Sequence, residues 1–199
     1  MALKVQYNKT AIQQLQKQLN IREKALPTLK SKETALRLEV KKAADKLNQL
    51  KVRLEELLKT IEDLERLWVE FPEVLRIEKK DIFTKNIAGV RIPILKEVKF
   101  KIAEINLAQQ PAWVPMGIEQ LKEILKIRIE MDTVQQQFET LTYARKKTTQ
   151  KVNLYEKVQI PQYREAIRKV KRFLEDKENL EKAAQKIVKQ RNEEKEVAV

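Results

Sequence analysis

Between Ile12 and Phe71, apolar residues recur in alternating steps of three and four, a pattern that leaves few folds open. The series is Ile12, Leu15, Leu19, Arg22, Leu26, Leu29, Glu33, Leu36, Val40, Ala43, Leu47, Leu50, Leu54, Leu57, Ile61, Leu64, Trp68 and Phe71. Sixteen of these eighteen positions are apolar, where composition alone would supply about eight, so the period is that of a long helix with a narrow apolar seam. At 1.5 Å per residue such a helix would extend roughly 90 Å and could bury its seam only by pairing along its length. Two positions break the seam, Arg22 and Glu33, and Pro27 lies between them. Because proline lacks a backbone donor and crowds the preceding turn, a bend is expected within residues 22–33.

Pro72 ends this pattern. The stretch from Pro72 to Gly117 holds both glycines of the chain, Gly89 and Gly117, together with Pro93, Pro111 and Pro115. Within it Val90, Ile92 and Ile94 alternate with polar or breaker residues, as do Val98, Phe100 and Ile102, a period of two that predicts a small hairpin or a pair of short strands. Helical spacing returns from Ile118 as Ile124, Ile127, Met131, Val134, Phe138, Leu141, Arg145, Thr148, Val152 and Tyr155. The stripe then slips. Continuation would select Gln159 and Gln162, yet the apolar series resumes at Tyr163, Ile167, Val170 and Leu174 and runs on through Leu180, Ala184 and Ile187, with Pro161 at the slip. A local kink is expected there. Two long helices joined by a compact middle can bury their seams within one chain only by folding back antiparallel. The fold class is therefore mostly α, a long antiparallel two-helix coiled coil. Its parts are residues 1–71 as the first helix, 72–117 as a central segment with short strands and turns, and 118–199 as the second helix.

Composition removes most chemistry. The chain has no cysteine and no histidine, so thiol nucleophiles, imidazole bases, disulfides and the usual zinc and copper ligands are missing. A phosphate-binding glycine loop is absent as well. Paired carboxylates occur at Glu55 and Glu56 and at Glu62, Asp63 and Glu65, but no pocket-forming sequence surrounds them and a solvated helix face is the simpler reading. No catalytic, cofactor or metal site is assigned, and no cofactor is expected. No apolar run reaches the roughly 20 residues of a membrane span, and Met1–Asn8 lacks the core of a signal peptide, so a soluble, cytoplasmic protein is expected.

The net charge of +13 is unevenly placed: residues 1–53 hold 13 Lys and Arg against 4 Asp and Glu, while residues 54–71 hold 2 against 6. Basic residues gather at Lys4, Lys9, Lys17, Arg22, Lys24, Lys30 and Lys32, and again at Arg145, Lys146, Lys147, Lys151, Arg164, Arg168, Lys169, Lys171 and Arg172. Phosphate neutralisation would use such density, which raises a nucleic-acid-binding helical arm as one reading. Scarce aromatics and the lack of a recognition module argue against it. A free-standing coiled-coil scaffold is another reading. Trp68 and Phe71 are expected to pack where the first helix ends, with Trp113 either covering that junction or meeting a partner.

Three segments carry a resemblance. NKTAIQQLQKQLNIREKALPTLKSKETAL (Asn8–Leu36), NIAGVRIP (Asn86–Pro93) and KVNLYEKVQIPQYREAIRKV (Lys151–Val170) are similar, in this order, to signatures of the D-subunit family of V-type (A-type) rotary ATPases. The resemblance implies a non-catalytic central rotor shaft that transmits torque between ATP chemistry and ion movement. It implies terminal helices inside the ring of catalytic and regulatory subunits, a middle segment toward the membrane, the small F subunit on the flank and a socket-like subunit above the membrane rotor. It also implies a location peripheral to the membrane through the complex, with the basic clusters facing acidic bearing loops of the ring.

The seam itself yields a test. Leu50→Asp or Leu54→Asp places an unpaired carboxylate between the helices and should destabilise the pair by at least about 3 kcal/mol. Chemical denaturation followed by circular dichroism measures the loss; an unchanged midpoint would remove these residues from the seam.

Overall fold

The computed structural model describes residues 6–62, 68–103 and 110–197. Its elements are helix α1 (Lys9–Glu62), strands β1 (Leu75–Ile87) and β2 (Val90–Ile102), helix α2 (Val114–Asn153), a π-helical turn (Leu154–Gln159) and helix α3 (Ile160–Val197). The chain divides into two compact units, Met1–Ser31 with Thr149–Val199, and Lys32–Thr148.

In the first unit α1 begins at an N-cap, with the Asn8 Oδ1 accepting the Ala11 backbone N–H at 2.6 Å and so satisfying one of the donors a helix start leaves open. It runs antiparallel to α3: Tyr7 meets Phe173 with ring centroids 4.9 Å apart, Glu23 pairs with Arg164, and Lys30 with Glu156. α1 stays helical through Pro27. Pro27 is exposed, so its ring displaces no seam residue and water can reach the turn it disturbs.

The expected slip on the partner strand of the seam is resolved in physical terms. Between Leu154 and Gln159 the backbone widens to a π turn, in which the Ile160 N–H reaches back five residues to the Tyr155 carbonyl. A π turn takes up one extra residue without breaking the helix. Val152 is buried before it, and Ile160, Ile167 and Val170 are buried after it. Removing one residue from the numbering turns this series back into the earlier heptad, so the break in periodicity and the π turn are one feature.

The second unit holds the rest of α1 and α2, again antiparallel, as Lys46–Glu130 and Arg53–Glu123 ion pairs of 2.6 and 2.7 Å show. Leu50 and Leu54 pack with Ile127 and Val134, with Leu47, Leu57, Ile124 and Met131 at the edge. Thr133 and Thr148 are buried in α2, and each hydroxyl donates to the carbonyl four residues back, which satisfies it without a cross-helix partner. At the far end Val74, Val114 and Ile118 form a cluster against Phe71 and Trp113. Trp113 lies 6.1 Å from Trp68 and 5.8 Å from Phe71, so it covers the helix junction. Gly117 makes room for this: a Cβ there would stand 2.9 Å from Phe71 Cε2.

A hairpin occupies the central segment, but its strands differ from the two short runs expected within 90–102. Residues 90–102 form one strand, β2, and its antiparallel partner is β1, in register from Leu75 opposite Ile102 to Ile87 opposite Val90. β1 escaped sequence reading because only Leu75, Asp81 and Ile87 are partly buried along it and an extra residue, Glu78, shifts its register after Ile77; a second shift, after Asp81, comes from Lys96 of β2. The connection is the two-residue turn Ala88–Gly89, with φ of 49° and 76°. Both values belong to the type I′ turn that matches strand twist.

Ala88 is the weak element of that turn, because an L-residue with a Cβ disfavours positive φ where asparagine tolerates it. Ala88→Asn should stabilise the hairpin by about 1 kcal/mol. Slower amide exchange across β1 and β2 is the expected readout, and unchanged exchange would count against the turn assignment.

Candidate functional site

The surfaces that could carry function are built differently in the two units. In the first, exposed basic side chains from α1 (Lys9, Lys17, Lys24 and Lys30) and from the α2–α3 stretch (Lys151, Arg164, Arg168, Lys169, Lys171 and Arg172) belong to the same compact body. Sequence placed these groups far apart; antiparallel pairing brings them together. Lys32, Arg145, Lys146 and Lys147 belong to the second unit, and Lys4 lies outside the described residues.

Part of this charge is neutralised locally. Arg164 binds Glu23 at 2.7 Å and Lys30 binds Glu156 at 2.6 Å, both between helices. Lys169 reaches Glu165 at 2.8 Å one turn away. Hydrogen bonding from Lys169 holds the Glu165 carboxyl below its usual range, and the same bond holds the Lys169 ammonium above its own. These pairs stand in water and contribute little stability. Their value lies in placing charge.

Arg22, a break in the expected seam, is half-buried and bonded on both sides. Its Nε donates to Gln159 Oε1 at 2.6 Å, and its Nη1 donates to the Gln18 carbonyl and side chain at 2.9 and 2.7 Å. Its guanidinium lies 4.6 Å from the Tyr163 ring centroid and 5.8 Å from that of Tyr155. This cluster was missed in the sequence, although its two signals, a charge in one seam and a one-residue slip in the other, were both visible.

Beyond Leu174 the apolar stripe persists but its burial does not. Every residue from Glu175 to Asn192 is exposed. Leu180 is 71% exposed, Ile187 52% and Val188 58%. With Ala184 they form one apolar line on α3, since steps of four and seven or eight return to the same face.

In the second unit the hairpin is fixed through β2. Ile92 is buried with Leu36, Val40, Ala43 and Leu141, and Ile87 and Val90 pack at the edge. Gln137 Nε2 donates to the Pro93 carbonyl at 2.6 Å. Ile77, Ile82 and Phe83 of β1 remain exposed, beside an Asp81 carboxyl held below its usual range by its hydrogen bond from Lys79. Glu55 and Glu56 are exposed on α1. Asp63, Leu64 and Glu65 lie outside the described residues, as does the side chain of Glu62. Among the described residues no group of carboxylates could hold a metal ion, and no helix is long and apolar enough to cross a membrane.

Paired helices, a hairpin turning at Ala88–Gly89 and a seam slip at Leu154–Gln159 are the distinguishing features of the chain. The family described as the ATP synthase D subunit matches residues 11–190. The chain belongs to the ATP synthase D-subunit family. A V-type ATP synthase D subunit from Borreliella burgdorferi is 31% identical over 94% of this chain and 94% of its own length. That of Chlamydia muridarum is 27% identical over 96% of this chain and 97% of its own, and that of Chlamydia abortus is 26% identical with 100% of both chains covered. In this D-subunit chain the segments that carry the family resemblance have structural duties: Asn8–Leu36 supplies the α1 cap and Arg22, Asn86–Pro93 supplies the hairpin turn and its anchor on Gln137, and Lys151–Val170 supplies the π turn.

Proposed function

We propose that the protein is the central rotor shaft of a V-type or A-type rotary ATPase, a subunit without catalytic residues that carries torque between ATP synthesis or hydrolysis in a catalytic ring and ion translocation across the membrane. The observation that carries this reading is the uncovered apolar line Leu180, Ala184, Ile187 and Val188 at the end of α3, within a family whose curated members are named as ATP synthase subunits. Apolar side chains left in water on a helix end call for a surrounding surface, and a ring of subunits supplies one on every side. The basic exterior of the first unit then faces acidic loops of that ring. A shaft needs no chemistry of its own: it biases each surrounding site by making different contacts with each of its states. On this reading its partners are the catalytic and regulatory ring subunits, the small F subunit along the flank and a socket-like subunit on the membrane rotor. It works on the cytoplasmic side, peripheral to the membrane. Nucleic-acid binding is disfavoured by the scarcity of aromatic residues and the lack of a recognition module.

Co-expression of the tagged chain with the other subunits, followed by mass spectrometry and assay of ATP-driven ion pumping, tests the reading. Recovery of the catalytic ring is expected; recovery of the chain alone points to a scaffold, and steeply salt-dependent RNA binding to a nucleic-acid arm. Leu180→Asp with Ile187→Asp should leave the melting temperature of the isolated chain unchanged, since both positions are exposed, and should lower pumping per ATP. Undiminished pumping would sink the proposed role of this apolar line.

A further inference from the structure

We propose that Arg22 and the π turn form a register lock between α1 and the Leu154–Val170 stretch, with Arg22 as a positioning residue for the torque path. The functional consequence rests on the shaft reading; the lock itself does not. A plain heptad seam repeats every seven residues, so two helices joined by one can exchange their register for another displaced by about 10 Å, in which every apolar layer again meets an apolar layer. Shear between two paired helices, which is what torque applies, pushes toward that exchange. A buried polar group that finds its partner in one register alone is the best-attested way to prevent it.

Arg22, half-buried in the seam, has one such partner: its Nε acceptor lies on the other helix, while its Nη1 bonds stay within α1. In the observed register its Nε finds Gln159, the residue that the uninterrupted heptad would have put in the seam, and its plane lies over Tyr163. A displacement of seven residues either way would put Leu15 or Leu29 against Gln159. It would also drive the guanidinium toward the buried layer of Ile167 and Val170 on one side, or of Val152 on the other. The flanking ion pairs penalise both directions as well. If α1 moves so that Lys30 takes the place of Glu23, it meets Arg164. If Glu23 takes the place of Lys30, it meets Glu156. Each displacement therefore creates one like-charge pair and parts the half-buried Arg22 Nε from its acceptor on the other helix. The charge in one helix and the extra residue in the other are thus halves of a single device: the π turn provides the acceptor Gln159 and the Tyr155 ring, and the first turn of α3 provides the nearer Tyr163 ring.

The chain lacks cysteine, so engineered pairs in the full-length protein report register cleanly. Leu19 and Ile167 line the same groove, and L19C/I167C reports the observed register. L19C/I160C and L19C/L174C report displacement by one heptad in either direction, because thiols separated by a shift of about 10 Å exceed the roughly 7 Å Cα reach of a disulfide. In the otherwise native chain the first pair should oxidise and the other two should not. Arg22→Leu, which suits the seam and keeps the helices, should raise oxidation of a displaced pair by about tenfold or more. Gln159→Leu should do the same, and Gln159→Glu, which keeps the acceptor, should restore the native pattern; a residue that merely fills space would show no such rescue. Displaced pairs that stay silent in both Arg22→Leu and Gln159→Leu, with helicity intact, would overturn the lock whatever the chain does in a complex. In the assembled ATPase, Arg22→Leu should preserve ATP hydrolysis and lower pumping per ATP by about twofold or more, as expected of a shaft that slips under load. Displacement with undiminished pumping would leave the lock standing and count against the shaft reading.

Discussion

The phase of one apolar stripe governs this fold. Each unit is held by side chains in successive layers between two helices, and a layer such as Leu50, Leu54, Ile127 and Val134 is stabilised by its own members and immediate neighbours. In such an arrangement an error in phase cannot be absorbed by a deep core. One residue too many rotates everything after it by about 100°, which would replace Ile160, Ile167 and Val170 at the interface with glutamine, alanine and lysine. The π turn at Leu154–Gln159 removes that error where it arises. The seam after the turn depends on it, and so does the outward direction of Arg164, Arg168 and Lys171.

Much of this was legible in the sequence because burial and period coincide. All seventeen predicted seam positions of the first helical stretch that fall among the described residues avoid full exposure, Arg22 and Glu33 included, and Leu36, Val40, Ala43, Leu50 and Leu54 are buried outright. A charge was thus placed correctly by its spacing alone. What spacing could not provide was the partner: Gln159 is 137 residues away, and nothing local to Arg22 points to it. β1 failed for a different reason. Its residues mostly face water, and an extra residue at Glu78 shifts its register, so neither face acquired a pattern. β2 was visible because Ile92 and Val98 are buried and apolar residues alternate with polar or breaker residues around each.

The end of α3 shows the opposite mismatch, a pattern without burial. Leu180, Ala184 and Ile187 keep the spacing of a seam and lie on a helix as expected, but that spacing counted them in the coiled coil, whereas they are exposed. Hydrophobic periodicity reports which face a helix would bury, and a single chain supplies only some of the surfaces that do so. The unfilled stretch is where the molecule's interactions with other chains are most economically sought.

That stretch is also helical with little tertiary cover, which requires another source of order. An isolated helix of this length is marginal in water unless its sequence favours it. From Glu175 onward the residues are largely Glu, Lys, Ala, Gln and Leu, strong helix formers all. Glu178–Lys182 and Lys177–Glu181 add ion pairs at 3.0 and 3.8 Å one turn apart, the spacing that supports exposed helices. The segment therefore holds its shape before any surface covers it, and a partner that covers Leu180 and Ile187 has little ordering entropy to offset. On the proposed shaft reading, a preformed helix makes the geometry of contact a property of this chain and independent of which subunit it touches.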